Sequence, residues 1–262
     1  MTQALLAADE PPPVSVYNAG GASPLLLVAD HAGNMMPRAF GRLGVAESEC
    51  VRHIAWDIGI GGLGRMLADA LDATLIRQNY SRLVIDCNRP LGTPSSIPEI
   101  SELTPVPGNV GLSAAEKAAR ARAIFRPYHE RIEAELERRR RAGRASALIA
   151  LHSFTPMFKG IARAWHVALL YNRDPRLARN LLDLLRQEVS LVVGDNEPYF
   201  VSDTTDYTIP VHGERRGLPH ALIEIRQDLI AEESGQQQWS ARLARLLPLA
   251  YEEIARLGLT GE

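Results

Sequence analysis

Two imidazoles and one carboxylate stand out because each lies at the end of, or inside, a short apolar run. Leu25–Ala29 reads Leu-Leu-Leu-Val-Ala and is followed at once by Asp30-His31-Ala32-Gly33-Asn34. Ala147–Leu151 empties into His152-Ser153-Phe154, and Ala221–Ile225 holds Glu224 between Ile223 and Ile225. Short apolar runs bounded by turn residues read as buried strands. In open α/β sheets, ligands bind in the crevice outside the carboxyl ends of the strands. An imidazole placed there is a candidate metal ligand or acid/base. A carboxylate within such a strand is costly to bury unless it is paired or employed; the alternative is that alternation turns Glu224 to a solvent face. Two histidines with a carboxylate suit zinc, which accepts imidazole nitrogen and carboxylate oxygen and keeps one position for water. A second carboxylate then serves as general base on that water.

Further candidates lie between these runs. Asp57, in Trp56-Asp57-Ile58-Gly59, stands near a helix start. It is either an N-cap, satisfying free N–H groups, or a carboxylate ligand. Leu83–Cys87 reads as a strand in Leu, Val and Ile, and Asn88-Arg89 follows it. A guanidinium fork with an amide beside it suits a carboxylate, the alternative being an ion pair with Asp86 or a neighbouring acid. A second acidic group on a ligand needs another cation, for which Arg82, Arg163, Arg215 and Arg216 are available.

The elements that must position these residues alternate. Strands are expected at Leu25–Ala29, Ala73–Gln78, Leu83–Cys87, Ala147–Leu151, His166–Tyr171 and Ala221–Ile225. Between them come helices carrying Leu63 and Leu67, Ile124 to Leu136, and Leu177 to Leu185, with a last helix near 236–257. Ser113 with Glu116 is a capping-box pattern. The Arg138–Arg141 run at a helix end reads as a solvated face that complements the helix dipole. The pattern predicts a loose arm over residues 1–20 and a single α/β catalytic domain over 21–262, with a mostly parallel sheet. Two long loops, 91–111 and 195–216, are candidate lids.

The balance of charge, net −2 over 262 residues with a pI near 6.4, leaves no electrostatic footprint for nucleic acid. Cys50 and Cys87 form no metal-type spacing and no disulfide framework. No run approaches the ~18 apolar residues of a membrane span, and the N-terminus lacks the flank and length of a signal peptide. A cytoplasmic location is the expectation.

Taken in order, Asp30-His31-Ala32-Gly33-Asn34, Trp56-Asp57-Ile58-Gly59, Asn79-Tyr80-Ser81-Arg82, Asp86-Cys87-Asn88-Arg89-Pro90, Leu151-His152-Ser153 and Ile223-Glu224-Ile225-Arg226-Gln227-Asp228 resemble the N-formylglutamate amidohydrolase family. The resemblance covers roughly Leu25 to Leu229. It implies a zinc-dependent hydrolase with a fold akin to the zinc carboxypeptidases: a three-layer sandwich, its mixed and mainly parallel sheet flanked by helices on both faces. It further implies that His31 and His152 are the imidazole ligands, Asp57 the carboxylate ligand and Glu224 the general base. Asn88 and Arg89 would hold the substrate's α-carboxylate, and Arg82 would add to that grip or stabilise the oxyanion. Zinc carboxypeptidases carry a Glu three residues after the first histidine, where this chain has Asn34. The third ligand therefore stays open between Asp57, Asn34 and Glu224, and the difference argues against simple peptidase activity. The implied substrate is a small N-acyl amino acid such as N-formyl-L-glutamate. The alternatives are a carboxypeptidase-like or N-acyl-peptide hydrolase, or a catalytically silent carboxylate-binding protein.

Overall fold

The computed structural model describes residues 5–258. In chain order it contains β1 (Val14–Tyr17), β2 (Leu25–Ala29), α1 (Ile60–Leu71), β3 (Thr74–Gln78) and the small hairpin β4 (Ile100–Ser101) and β5 (Thr104–Pro105). Next come α2 (Ala114–Arg120), α3 (Arg126–Arg141), β6 (Ala147–Phe154) and a second small hairpin, β7 (Met157–Phe158) and β8 (Ile161–Ala162). The chain continues through β9 (Val167–Leu170), α4 (Arg176–Arg186), β10 (Val193–Asp195), β11 (His220–Arg226) and α5 (Glu233–Arg256).

Seven strands form one sheet in the order β1-β3-β2-β6-β11-β9-β10. The central four, β3, β2, β6 and β11, run parallel, while β1 pairs antiparallel with β3 and β9 antiparallel with β11. Strands buried on both faces must be apolar nearly throughout, and alternation divides their side chains between two layers. Leu25, Leu27, Ile149, Leu151, Ile223 and Ile225 pack against α1, α4 and α5. Leu26, Val28, Leu148, Ala150 and Leu222 pack on the opposite face, against Ile124, Phe125, Tyr128 and Ile132. Fully burying each such side chain stabilises the fold by about 1.5–3 kcal/mol. The expected three-layer α/β domain is thus present.

The helical layer on the second face is one rod with a widened turn. Ser113 and Glu116 form the capping box that starts α2, and a π turn over Ala121–Phe125 joins α2 to α3. Pro127, which has no N–H to donate to the helix ladder, lies in the first turn of α3, just beyond the π turn. Among the described residues no helix is long and apolar enough to cross a membrane.

Two expectations need correction. Leu83–Cys87 is not a strand, although every residue in it is buried. Its backbone finds partners elsewhere: Asn109 Nδ2 donates to the carbonyl of Leu83 at 2.9 Å, and Arg120 donates to that of Val84 at 2.9 Å. The Asp86 amide donates to the carbonyl of Ser96 at 2.8 Å. Buried side-chain donors make a sheet ladder unnecessary. Nor are residues 1–20 loose throughout: Val14–Tyr17 is the edge strand β1, and before it Tyr80 Oη and Asn79 Nδ2 donate to the carbonyls of Pro11 and Pro12.

Candidate metal centre and active site

His31 stands two residues beyond the end of β2, and His152 lies within β6. Asp57 arrives on the loop before α1, its amide donating to the carbonyl of His31 at 2.9 Å. That loop fits only because of glycine. A Cβ on Gly33 would collide with the backbone of Asn79, and Gly59, at φ 84°, has the Ile230 carbonyl where its side chain would be. Asp57 does not cap α1. Its Oδ2 lies 2.9 Å from His152 Nδ1 and 3.4 Å from His31 Nδ1, and the ligand atoms of the three residues lie within 4.8 Å of one another. All three side chains are buried.

The opposite nitrogen of each ring has a carboxylate behind it. His31 Nε2 is 2.7 Å from Asp86 Oδ1, and His152 Nε2 is 3.0 Å from Asp30 Oδ2. Asp86 is itself held by Arg82 (Nη2 at 2.7 Å, Nε at 3.0 Å) and by the Asn88 amide at 2.8 Å. Asp30 accepts from Thr208 Oγ1 at 2.6 Å. A carboxylate on the outer nitrogen fixes the tautomer and raises the basicity of the inner one, as in carboxylate–histidine–metal triads. With each Nε2 directed at an aspartate, the two Nδ1 atoms and an Asp57 oxygen converge, and His152 Nδ1 lies within hydrogen-bond distance of that oxygen. His31 Nδ1 is buried without a hydrogen-bond partner.

The electrostatics ask for a cation at the same point. Burial opposes ionisation of Asp30, yet the hydrogen bond and charge of His152 and the charge of His31 bring it to about 2. Burial likewise opposes ionisation of Asp57 and Asp86, but His31 and His152 hold Asp57, and Arg82 and His31 hold Asp86, far below the carboxylate range. Burial would lower His152, but its bonds to Asp30 and Asp57 carry it well above the imidazole range. Three carboxylates thus face one guanidinium, and either a proton or a metal ion relieves the imbalance. The N, N, O donor set and the unpartnered Nδ1 fit a metal ion such as zinc.

Glu224 completes the group. In the β6–β11 register it is the direct partner of His152, so both project from the same face of adjacent parallel strands. Its Oε2 is buried with no partner, and burial, aided by Asp57 and opposed by His152 and Arg82, pushes it up to about 7. Together with His31, Asp57 and His152 it lines a cavity of about 1260 Å³. Both long loops border this cavity, through Leu91–Glu102 on one side and Pro198–Phe200 with Thr205 and Asp206 on the other.

The remaining candidates divide. Arg82 lines the cavity, fixed on Asp86 and 3.5 Å from Asp57 Oδ1. Arg89 also lines it, its Nη1 donating to the carbonyls of Thr205 at 2.7 Å and Asn88 at 3.1 Å, and lying 3.4 Å from Asp206. Asn88 is engaged at both ends: Nδ2 donates to Asp206 at 3.1 Å, and Oδ1 accepts the amides of Tyr207 and Thr208 at 3.1 and 3.0 Å. It holds the loop that carries Thr208, so both ends of the side chain expected to grip a carboxylate are already engaged within the protein. Asn34 stands apart, donating to the Cys50 carbonyl at 3.3 Å, so of the three candidates for third ligand Asp57 has the placement. Arg216 pairs with Glu133, and Arg163 stacks on Phe158 and Tyr199. Asp30 and Asp86 as the supports of the imidazoles were not foreseen. The available signal was Asp30 directly before His31 at the end of β2, and Asp86 between Arg82 and Arg89 in the chain.

Fold and site together define a three-layer α/β protein with a candidate metal centre at the carboxyl edge of its sheet. The sequence model of the family described as N-formylglutamate amidohydrolase matches residues 23–231, and the chain belongs to that family. It is accordingly a hydrolase acting on a non-peptide amide bond. Among solved structures, the gene product Atu2144 from Agrobacterium tumefaciens is similar at 37% identity and TM-score 0.92, covering 96% of this chain and 99% of its own. The N-formylglutamate amidohydrolase from Ralstonia eutropha JMP134 shares the fold at 22% identity and TM-score 0.61, covering 94% and 97%. No curated protein matches the chain.

Proposed function

We propose that this protein hydrolyses N-formyl or other small N-acyl amino acids, such as N-formyl-L-glutamate, to the free amino acid and the acid, with zinc held by His31, His152 and Asp57. The observation that carries the reading is the convergence of two Nδ1 atoms and one carboxylate oxygen beside the unpartnered Oε2 of Glu224. Zinc bound there would lower the pKa of water and polarise the acyl carbonyl. Glu224, raised toward neutrality, takes a proton from the attacking water and returns it to the departing amine. Arg89 meets the substrate's α-carboxylate and so fixes the amide against the catalytic groups, which is catalysis by positioning. Arg82, locked on Asp86, supplies a fixed positive charge toward the developing oxyanion. Asp30 and Asp86 keep the two imidazoles in one tautomer and one orientation.

The test is metal analysis of the purified protein together with formate release from a panel of N-formyl amino acids. About one zinc per chain is expected. His31→Ala and His152→Ala should each lose metal and activity while remaining folded. Full zinc occupancy in both single variants would remove the ligand assignment.

A further inference from the structure

The catalytic cavity is larger than a formylated amino acid requires. Pockets that enclose drug-sized ligands span roughly 300–1000 Å³, and this one reaches about 1260 Å³. A second cavity of about 580 Å³ adjoins it, the two sharing His53, Glu102 and Thr155 in their walls. The composition of the rim is equally unusual. Ile100, 65% exposed, and Phe200, 66% exposed, line the first cavity, while Leu103, 74% exposed, and Met157, 51% exposed, line the second. These residues belong to three separate segments: the β4–β5 hairpin, strand β7 and the loop after β10. Large apolar side chains gathered in solvent around a polar site mark a surface that something apolar covers.

Continuity with the site identifies what that is. Arg89, proposed above for the carboxylate, lines the same cavity as Ile100 and Phe200. A ligand reaching from Arg89 to the rim therefore carries an anionic group at one end and an apolar group at the other. N-Formylglutamate has no apolar end. We infer that the substrate class is an N-acyl amino acid bearing a large apolar group, which is desolvated against Ile100, Phe200 and their neighbours at the cavity mouth. This inference rests on the amide-hydrolase reading above, keeps its reaction and site, and replaces its small substrate with a larger, apolar one.

Two compound series and one double variant test it. The first series enlarges the side chain (N-formylglycine, N-formyl-leucine, N-formyl-phenylalanine). The second enlarges the acyl group (formyl-, acetyl- and octanoylglycine). Because Ile100 and Phe200 are exposed, Ile100→Ser/Phe200→Ser leaves the fold and the metal ligands intact. Expected is a kcat/KM that rises with apolar size in at least one series, and a fall of about 10–100-fold for the largest member in the double variant, the equivalent of one or two side chains no longer covered. Turnover of N-formylglutamate should fall far less than that of the largest apolar member. A preference for N-formylglutamate over every apolar compound, with the double variant indistinguishable from wild type, would overturn the inference and turn attention to Lys117 and Arg126, which also border the cavity. A double variant altered only in sedimentation would make the rim a contact between copies of the chain and overturn it equally. If no compound is turned over, the catalytic reading fails, and calorimetry with N-octanoylglycine decides this one: binding weakened at least 10-fold in the double variant supports it, and equal binding sinks it.

Discussion

Replacing Asp86 with Asn removes one charge and almost no volume, yet the hydrogen-bond inventory around it makes the change costly. Its two oxygens accept from four donors: His31 Nε2 at 2.7 Å, Arg82 Nε at 3.0 Å and Nη2 at 2.7 Å, and the Asn88 amide at 2.8 Å. An amide keeps one acceptor and turns the other into a donor. If its NH₂ faces Arg82, it opposes a group that can only donate. If it faces His31, the imidazole must switch tautomer to accept, which points its Nδ1–H at the metal position and still leaves the Asn88 amide opposed. At Asp30 the same substitution is milder. Its carboxylate meets His152 Nε2 at 3.0 Å and Thr208 Oγ1 at 2.6 Å, and a hydroxyl can rotate from donor to acceptor. Supports of metal-bound histidines are typically worth 10–100-fold in affinity, or about 1.4–2.8 kcal/mol. Asp86→Asn should lie at or beyond the upper end and Asp30→Asn near the lower. Zinc affinity measured by competition with a chromophoric chelator reads both. An Asp86→Asn protein that binds as tightly as wild type, or an Asp30→Asn protein that binds more weakly than it, would refute the reasoning.

Three further outcomes are expected. Glu224→Gln should retain its metal and lose about 10²–10⁴ in kcat, the usual cost of removing a general base; loss of metal instead would make Glu224 a ligand. Arg89→Lys should lower kcat/KM for every N-formyl substrate by about 10–100-fold, since an ammonium cannot reproduce the two parallel bonds of a guanidinium, and unchanged values would put the carboxylate site elsewhere. Acid should weaken the fold through His129 and His212, stacked under the site with Nδ1 of the first 3.0 Å from Nε2 of the second. Burial pushes His129 down to about 4 and His212 to about 3. Below pH ~6.5 the unfolded chain binds protons that the folded one refuses, so stability is greatest above that pH and falls on acidification. From His129 alone the loss at pH 5 is about 2 kcal/mol. Unfolding free energies from urea titration at pH 7 and pH 5 should therefore converge by at least that amount in His129→Gln/His212→Gln relative to wild type, and a parallel shift in both proteins would show that the pair does not titrate as described.

Much of the site was legible because the strands that carry it are nearly uniform apolar runs, within which His152 and Glu224 are conspicuous. Their pairing was not, since register between β6 and β11 depends on strands brought together from distant parts of the chain. Leu83–Cys87 misled because branched apolar residues satisfy the pattern of a strand whatever partners the backbone finds, and the donors from Asn109 and Arg120 are fixed only by the tertiary structure. Asp57 was ambiguous for a related reason: an aspartate before a helix has two uses, and only the distances to His31 and His152 separate them. The contacts of Asp30 and Asp86 were missed because each meets a histidine distant in sequence, His152 and His31, and sequence alone does not say which ring nitrogen a carboxylate meets.

The position of β11 sets an order of events. Among the described residues it is the last strand of the sheet in chain order, yet it lies between β6 and β9 and alone connects the β9–β10 pair to the rest. During synthesis, which proceeds from the N-terminus, β2, β3 and β6 are available to pair before β11 has been made, and they bring His31, Asp57 and His152 within reach of one another. Glu224 arrives afterwards, on the strand that closes the gap. A growing chain thus brings His31, Asp57 and His152 together before Glu224 reaches its place, and on the proposed reading hydrolysis would wait until the sheet is whole.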